Sequence, residues 1–97
     1  MTLRQLIYLI AVAEEHSFTR AAQRVGIEQS PLSRAILRLE RNIGFLLLER
    51  TRPSCKLTPA GEIFVQHALA IIDLAEHGVR KARTVADSGA DSKSTIS

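Results

Sequence analysis

A single cysteine, Cys55, stands in 97 residues, and one thiol excludes an internal disulfide framework. Long apolar runs are missing too. The longest, Leu6 to Ala13, falls far short of the roughly 18 residues that a membrane-spanning helix needs, so no membrane partner is expected. His16, His67 and His77 have no carboxylate or thiol at triad or metal-ligand spacing, which argues against catalysis, a bound metal or any other cofactor. Cys55 reads as a small strand residue. Length excludes a multidomain enzyme, because single domains commonly hold about 100 to 150 residues. Hydrophobic residues make up 45% of the chain, enough to build a core and to argue against disorder throughout. A unit this small still buries only about 60 to 65% of its unfolded surface, so support from a partner is expected.

The charge becomes informative once it is divided along the chain. Residues 1–58 carry nine Lys and Arg against five acids, whereas residues 59–97 carry four against five. Eight of the nine cations in the first part are Arg, whose planar fork suits phosphate and guanine. A polyanion is therefore the first partner to consider, with a merely solvated basic surface as the bland alternative. At the N-terminus, Arg4, the apolar run from Leu6 and Ala11-Val12-Ala13 imitate a secretion signal. One Arg and so short an apolar stretch make a poor one, and a cytoplasmic chain is expected.

Periodicity predicts four helices and a hairpin. Thr2 caps a first helix in which Leu3, Leu6, Ile7, Ile10 and Ala13 keep the three-four spacing of a buried stripe, widened by Leu9 and Val12. Such a helix must be covered on more than one side, by its own domain or by a second chain. Ser17 caps a short second helix, Phe18 to Val25, that turns Ala21, Ala22 and Val25 inward and stops at Gly26. Ser30 and Pro31 are read as the cap and first position of a third helix that ends at Gly44. On a helical wheel Leu32, Ile36, Leu39 and Ile43 fall within about 60°, with Arg34, Arg38 and Arg41 opposite. One face is oily and the other guanidinium.

Leu46 to Leu57 reads as a small hairpin whose tip is flanked by Arg50, Arg52 and Lys56, lifting two or three cations away from the body. Thr58-Pro59 then opens the longest helix, running to about Ala86, or roughly 42 Å. Val65, Leu69, Ile72 and Val79 trace one apolar stripe continuing to Ala86, and Phe64, Ala68, Ile71, Ala75, Ala82 and Val85 trace a second. One stripe can pack on the body and the other on a partner helix; the first is assigned to the dimer interface. Gly78 should cost about 1 kcal/mol or mark a bend. From residue 87 the chain reads as a disordered tail or the start of an interdomain linker.

Ala22, Gly26 and Leu32 stand where a helix-turn-helix needs a small crossing residue, a turn glycine and an apolar anchor. Together these features predict a mainly α fold. A winged helix-turn-helix, built from three helices and a β-hairpin wing over residues 1–58, is followed by a linker or dimerisation helix over residues 59–86.

The chain resembles the DNA-binding domain of LysR-type transcriptional regulators from residue 3 to about 86. The likeness rests on Leu3-Arg4-Gln5-Leu6, Ser17-Phe18-Thr19-Arg20-Ala21-Ala22, Gln29, Leu32-Ser33-Arg34, Ile36, Leu39-Glu40, Gly44, Glu49-Arg50 and Leu57-Thr58-Pro59-Ala60-Gly61. It implies double-stranded promoter DNA of a bacterium as the partner and a homodimer through the long helix. It also implies that any effector ligand belongs to a larger domain outside these 97 residues, which read as an excised or truncated DNA-binding part. The sequence departs from the family pattern at Ser30, where Pro is frequent, at Leu37, where a basic or polar residue is usual, and at Leu46 and Leu48, where Arg and Phe often occur. Leu37 leaves two readings open, contact with thymine methyls or cover by another segment.

As recognition helices do, helix 31–43 is expected to enter a major groove with its N-terminal residues foremost. Arg34 would read guanine, Ser33 and Gln29 would bond base edges or phosphates, and Pro31 would meet a thymine methyl. Ser30 and Arg38 flank that surface. Ser17, Thr19 and Arg20 suit phosphate, and Arg50 and Arg52 would hold the flanking backbone or minor groove. Two paired chains imply an interrupted inverted repeat. The competing expectation is a winged-helix module for protein–protein contact with weak or no DNA binding.

Overall fold

The computed structural model describes residues 1–51 and 54–89. Its elements are α1 (Leu3–Glu15), α2 (Phe18–Val25), α3 (Gln29–Ile43), β1 (Leu48–Glu49), β2 (Lys56–Leu57) and α4 (Pro59–Asp87). Arg52, at the expected tip of the hairpin, and residues 90–97 of the tail expected from residue 87 lie outside the described residues, while Asp87 still belongs to α4.

Local chemistry sets the helix ends. Thr2 and Gln5 form a reciprocal capping box: the Gln5 N–H donates to Thr2 Oγ1 at 3.1 Å and the Thr2 N–H to Gln5 Oε1 at 3.0 Å. Ser17 Oγ accepts from the Arg20 N–H, and Thr58 Oγ1 from the Gly61 N–H, which places Pro59 at the first helical position as expected. Gly26 and Gly44 end α2 and α3 in the left-handed conformation. His16 ends α1 the same way at φ 56°, an uncommon conformation for a side chain with a β-carbon.

The reading of Ser30 as a cap is corrected. Helix α3 starts at Gln29, Glu28 is the N-cap residue, and no side chain caps it. Pro31 is tolerated at the third helical position because first-turn N–H groups have no intrahelical acceptor.

Helix α1 packs against all three other helices, so its cover comes from its own domain. Leu6, Leu9, Ile10, Ala11 and Val12 are buried. Leu3 and Ile7, expected in the buried stripe, are instead exposed, because α2 and α4 close over the flanks of α1 and leave that strip open. The core joins these residues to Ala21, Ala22, Leu32, Ile36, Leu39, Leu47, Leu48, Cys55, Val65 and Ala68. Cys55 is buried but precedes β2 rather than lying in it. The ribbon is minimal, pairing Leu48 with Leu57 and Glu49 with Lys56.

Helix α4 is continuous through Gly78. Its buried residues all lie in the first half. Gly61, Val65 and Ala68 are buried and Ile72 packs on the core, whereas every described residue from 73 onward is exposed. The molecule accordingly extends over 54 × 25 × 20 Å.

Candidate nucleic-acid interface

Ser17, Phe18, Thr19, Gln29, Ser33, Arg50, Ser54 and Cys55 line one cleft between the helix-turn-helix and the wing. Capping explains half of it. The Ser17 cap starts α2 so that Phe18 and Thr19 stand at the helix mouth, and the short turn after Gly26 brings the first turn of α3 beside them. There the Thr19 hydroxyl donates to Gln29 Oε1 at 3.2 Å. The wing closes the other side, tied back by the Cys55 N–H, which donates to the His16 carbonyl at 3.2 Å. Burial pushes the Cys55 thiol up from its ordinary pKa, against the opposing charge of Arg50.

Beside the cleft lies the outward face of α3. Ser30, Pro31, Arg34, Arg38 and Arg41 are all exposed there. Among the described residues the three arginines have no hydrogen-bond or ion-pair partner. Their opposites on the wheel, Leu32, Ile36 and Leu39, are fully buried, so packing of the oily side turns the guanidinium row outward. Leu37 shares the exposed face at 39% accessibility among the described residues. With Phe45, Leu46, Gly44, Glu40 and Arg41 it lines a shallow apolar groove.

Two cations expected at the surface have other engagements. Arg20 is turned toward the end of α1, donating to the Glu15 carbonyl at 2.8 Å and pairing with its carboxylate at 3.8 Å. Arg50 is not lifted away on the ribbon: its guanidinium pairs with Glu40 at 3.1 Å and lies 5.4 Å from the centre of the Phe18 ring. A buried carboxylate and an aromatic face hold it at the lining of the cleft. Arg24 is fully engaged at the same helix end, bonded to Glu14 at 2.7 Å and Glu15 at 3.4 Å. Its pKa rises above the ordinary value chiefly through the Glu14 hydrogen bond.

The stripe assigned to a partner helix also divides. Val65 is 8% exposed and Ile72 packs on the core of the same chain, so these two face inward. Leu69 and Val79 remain exposed. Ile63 and Leu74, in neither expected stripe, are the most exposed large apolar residues of α4. They stand roughly opposite Val65 on the helical wheel, a signal that three-four bookkeeping on one side passes over. Glu40 and Gly61 carry no sequence signal beyond their likeness to the family, apart from the edge position of Glu40 beside the apolar arc of α3. Among the described residues no three metal-ligating side chains converge, and no helix is long and apolar enough to cross a membrane.

Comparison with known proteins places this geometry. Residues 3–62 match the family model described as bacterial regulatory helix-turn-helix protein, lysR family. The transcriptional regulator BudR of Klebsiella aerogenes is 46% identical over 86 residues, covering 89% of this chain and 60% of that protein. BenM of Acinetobacter baylyi is 43% identical over 86 residues, covering 89% of this chain but 28% of its own length. Among solved structures, the complex of the BenM DNA-binding domain with catB site 1 DNA superimposes with a TM-score of 0.86 at 43% identity, covering 89% of this chain and 96% of that one. The complex of the CbnR DNA-binding domain with DNA gives 0.85 at 40% identity, covering 89% and 99%. The chain thus spans between about a quarter and three fifths of these curated regulators while matching their excised DNA-binding domains almost end to end. With 60 of its residues under the family model and 89% of the chain matched to a solved domain of that kind, the chain belongs to the LysR family of bacterial regulatory helix-turn-helix proteins.

Proposed function

We propose that this chain binds double-stranded promoter DNA sequence-specifically, with α3 in the major groove and the wing on the flanking backbone or minor groove. The carrying observation is the row of unpaired guanidinium groups on α3, held outward by the buried Leu32, Ile36 and Leu39. Arg34 reads guanine through O6 and N7, with Ser33 and Gln29 beside it on base edges or phosphate. Ser30, Pro31 and Arg38 complete that surface. Ser17, Thr19 and Arg20 meet phosphate at the N-terminus of α2, and Arg50 and Arg52 serve the wing side. BenM and CbnR domains solved with DNA support the docking.

The chain acts as a homodimer through α4 on an interrupted inverted repeat. Its exposed second half, with Leu74, Val79 and Val85 in solvent, is an isolated helix of marginal stability until a second chain covers it. The role is regulatory rather than enzymatic and cytoplasmic, and no effector ligand is assigned to these 97 residues.

Selection of bound duplexes from a random pool, followed by a salt titration, tests this reading. A recovered dyad whose affinity falls steeply with salt supports it, because each neutralised phosphate releases counterions. The apolar patch of Leu37, Phe45 and Leu46 favours a second reading, a protein-interaction module. That reading requires no enriched sequence and an affinity for its partner that salt barely changes.

A further inference from the structure

Glu40 is the one charged side chain buried among the described residues, at 4% exposure. It sits near the end of α3, yet all the hydrogen bonds of its carboxylate run to the wing. Its Oε2 accepts the backbone N–H groups of Leu47 at 2.7 Å and Leu48 at 3.2 Å, and its Oε1 accepts from the Arg50 guanidinium at 3.1 Å. Arg50 in turn lies over Phe18 of α2 and faces the cleft with Ser17, Thr19, Gln29 and Ser33. On the far side of the same segment, the Leu47 carbonyl accepts the Thr58 N–H and the Leu46 carbonyl accepts the Thr58 hydroxyl, both at 2.9 Å.

These bonds clamp the root of the wing between the end of α3 and the start of α4. A ribbon of two residue pairs cannot hold its own direction, since even longer isolated hairpins are marginal in water. The orientation of the wing is therefore set at its root. Burying a carboxylate there is costly unless its hydrogen bonds are complete. All three bonds connect the helix that carries Arg34 to the segment that carries Arg50.

Resting on the DNA-binding reading above, we infer that Glu40 is a positioning residue for DNA recognition: it fixes Arg50 and the wing at a constant offset from the guanidinium row of α3, so that both engage one duplex in a single register. Electrostatics alone predicts the opposite effect for its removal. Glu40→Gln deletes a negative charge from the DNA-facing side, which by itself should tighten binding to any DNA.

The decisive experiment uses the full 97-residue chain, comparing wild type with Glu40→Gln, Arg50→Lys and the core variant Ile36→Val, each at a temperature where circular dichroism reports it folded. Affinity is measured on the selected dyad and on a scrambled duplex, with hydroxyl-radical footprints of the dyad complex. Glu40→Gln is expected to lose about tenfold on the dyad, as for a lost charged hydrogen bond, while binding scrambled DNA as well as or better than wild type. Protection on the outer flanks should fade and the central protection should stay. Arg50→Lys keeps the charge and both backbone bonds of Glu40 but loses the planar guanidinium that Glu40 and Phe18 hold in one orientation, so it gives the flank loss even where Glu40→Gln fails to fold.

A Glu40→Gln profile equal to wild type overturns the inference. So does a parallel loss on dyad and scrambled DNA resembling Ile36→Val, and so does an Arg50→Lys variant with intact flanks. A wild-type chain that ignores every selected duplex sinks the DNA-binding reading itself, which the other outcomes leave standing.

Discussion

Gly61, in the first turn of α4, lies directly on the backbone carbonyl of Leu47 at the root of the wing, so close that a β-carbon at position 61 would overlap it. The Thr58 N–H donates to that same carbonyl at 2.9 Å, so moving it away would cost that hydrogen bond. Gly61→Ala should therefore destabilise the fold by about 1 to 3 kcal/mol, the usual range for overpacking against a fixed neighbour. Gly78 is the contrast, since an added β-carbon there meets nothing. Gly78→Ala should stabilise by up to about 1 kcal/mol through helix propensity. Thermal denaturation of the two variants checks both signs, and similar shifts in the same direction would contradict the packing described.

Arg34 is exposed and has no hydrogen-bond or ion-pair partner among the described residues, so its removal breaks no such bond there. Arg34→Ala should leave stability within about 0.5 kcal/mol while erasing about 1 to 3 kcal/mol of discrimination between dyad and scrambled duplex. Gel-shift titrations on both duplexes measure it. Unchanged discrimination would remove Arg34 from the recognition surface.

Leu37 offers the outward face of α3 an aliphatic side chain beside Arg34 and Arg41, and it is exposed among the described residues. Apolar contact with a thymine methyl is the one base interaction open to it. Deoxyuridine in place of thymidine at each position of the selected site should weaken wild-type binding at one step, and Leu37→Ala should abolish that sensitivity. A double-mutant cycle with no coupling at any thymine would transfer Leu37 to the apolar groove that it shares with Phe45 and Leu46.

Leu74 is 70% exposed and Val79 is exposed as well, in the part of α4 where every described residue is open to solvent. Burying each in a dimer gains about 1.5 to 3 kcal/mol per side chain. The double variant Leu74→Glu, Val79→Glu should weaken association at least about a hundredfold and lower helicity as the projecting half of α4 frays. Sedimentation velocity reads the first effect and far-ultraviolet circular dichroism the second. A variant that sediments as wild type would place the interface elsewhere.

The element order, the caps at Thr2, Ser17 and Thr58, and the stops at Gly26 and Gly44 were legible in the sequence, because each depends on a side chain acting within a few residues of itself. The outward row of Arg34, Arg38 and Arg41 was legible for the same reason: helical periodicity assigns the faces once Leu32, Ile36 and Leu39 are buried. Ser30 was misread because proline fits any position in a first turn, so its presence alone does not locate the cap.

Contacts between residues distant along the chain were another matter. Whether Val65 or Leu74 met the body, whether Arg50 stood free or paired with Glu40, and why position 61 must be glycine were settled by how α3, the wing and α4 converge. Local pattern determined which elements form and which of their faces are oily. Only the tertiary structure decided which oily face each element hides and which charges it consumes internally, because those outcomes depend on distances between segments that periodicity along a single chain does not encode.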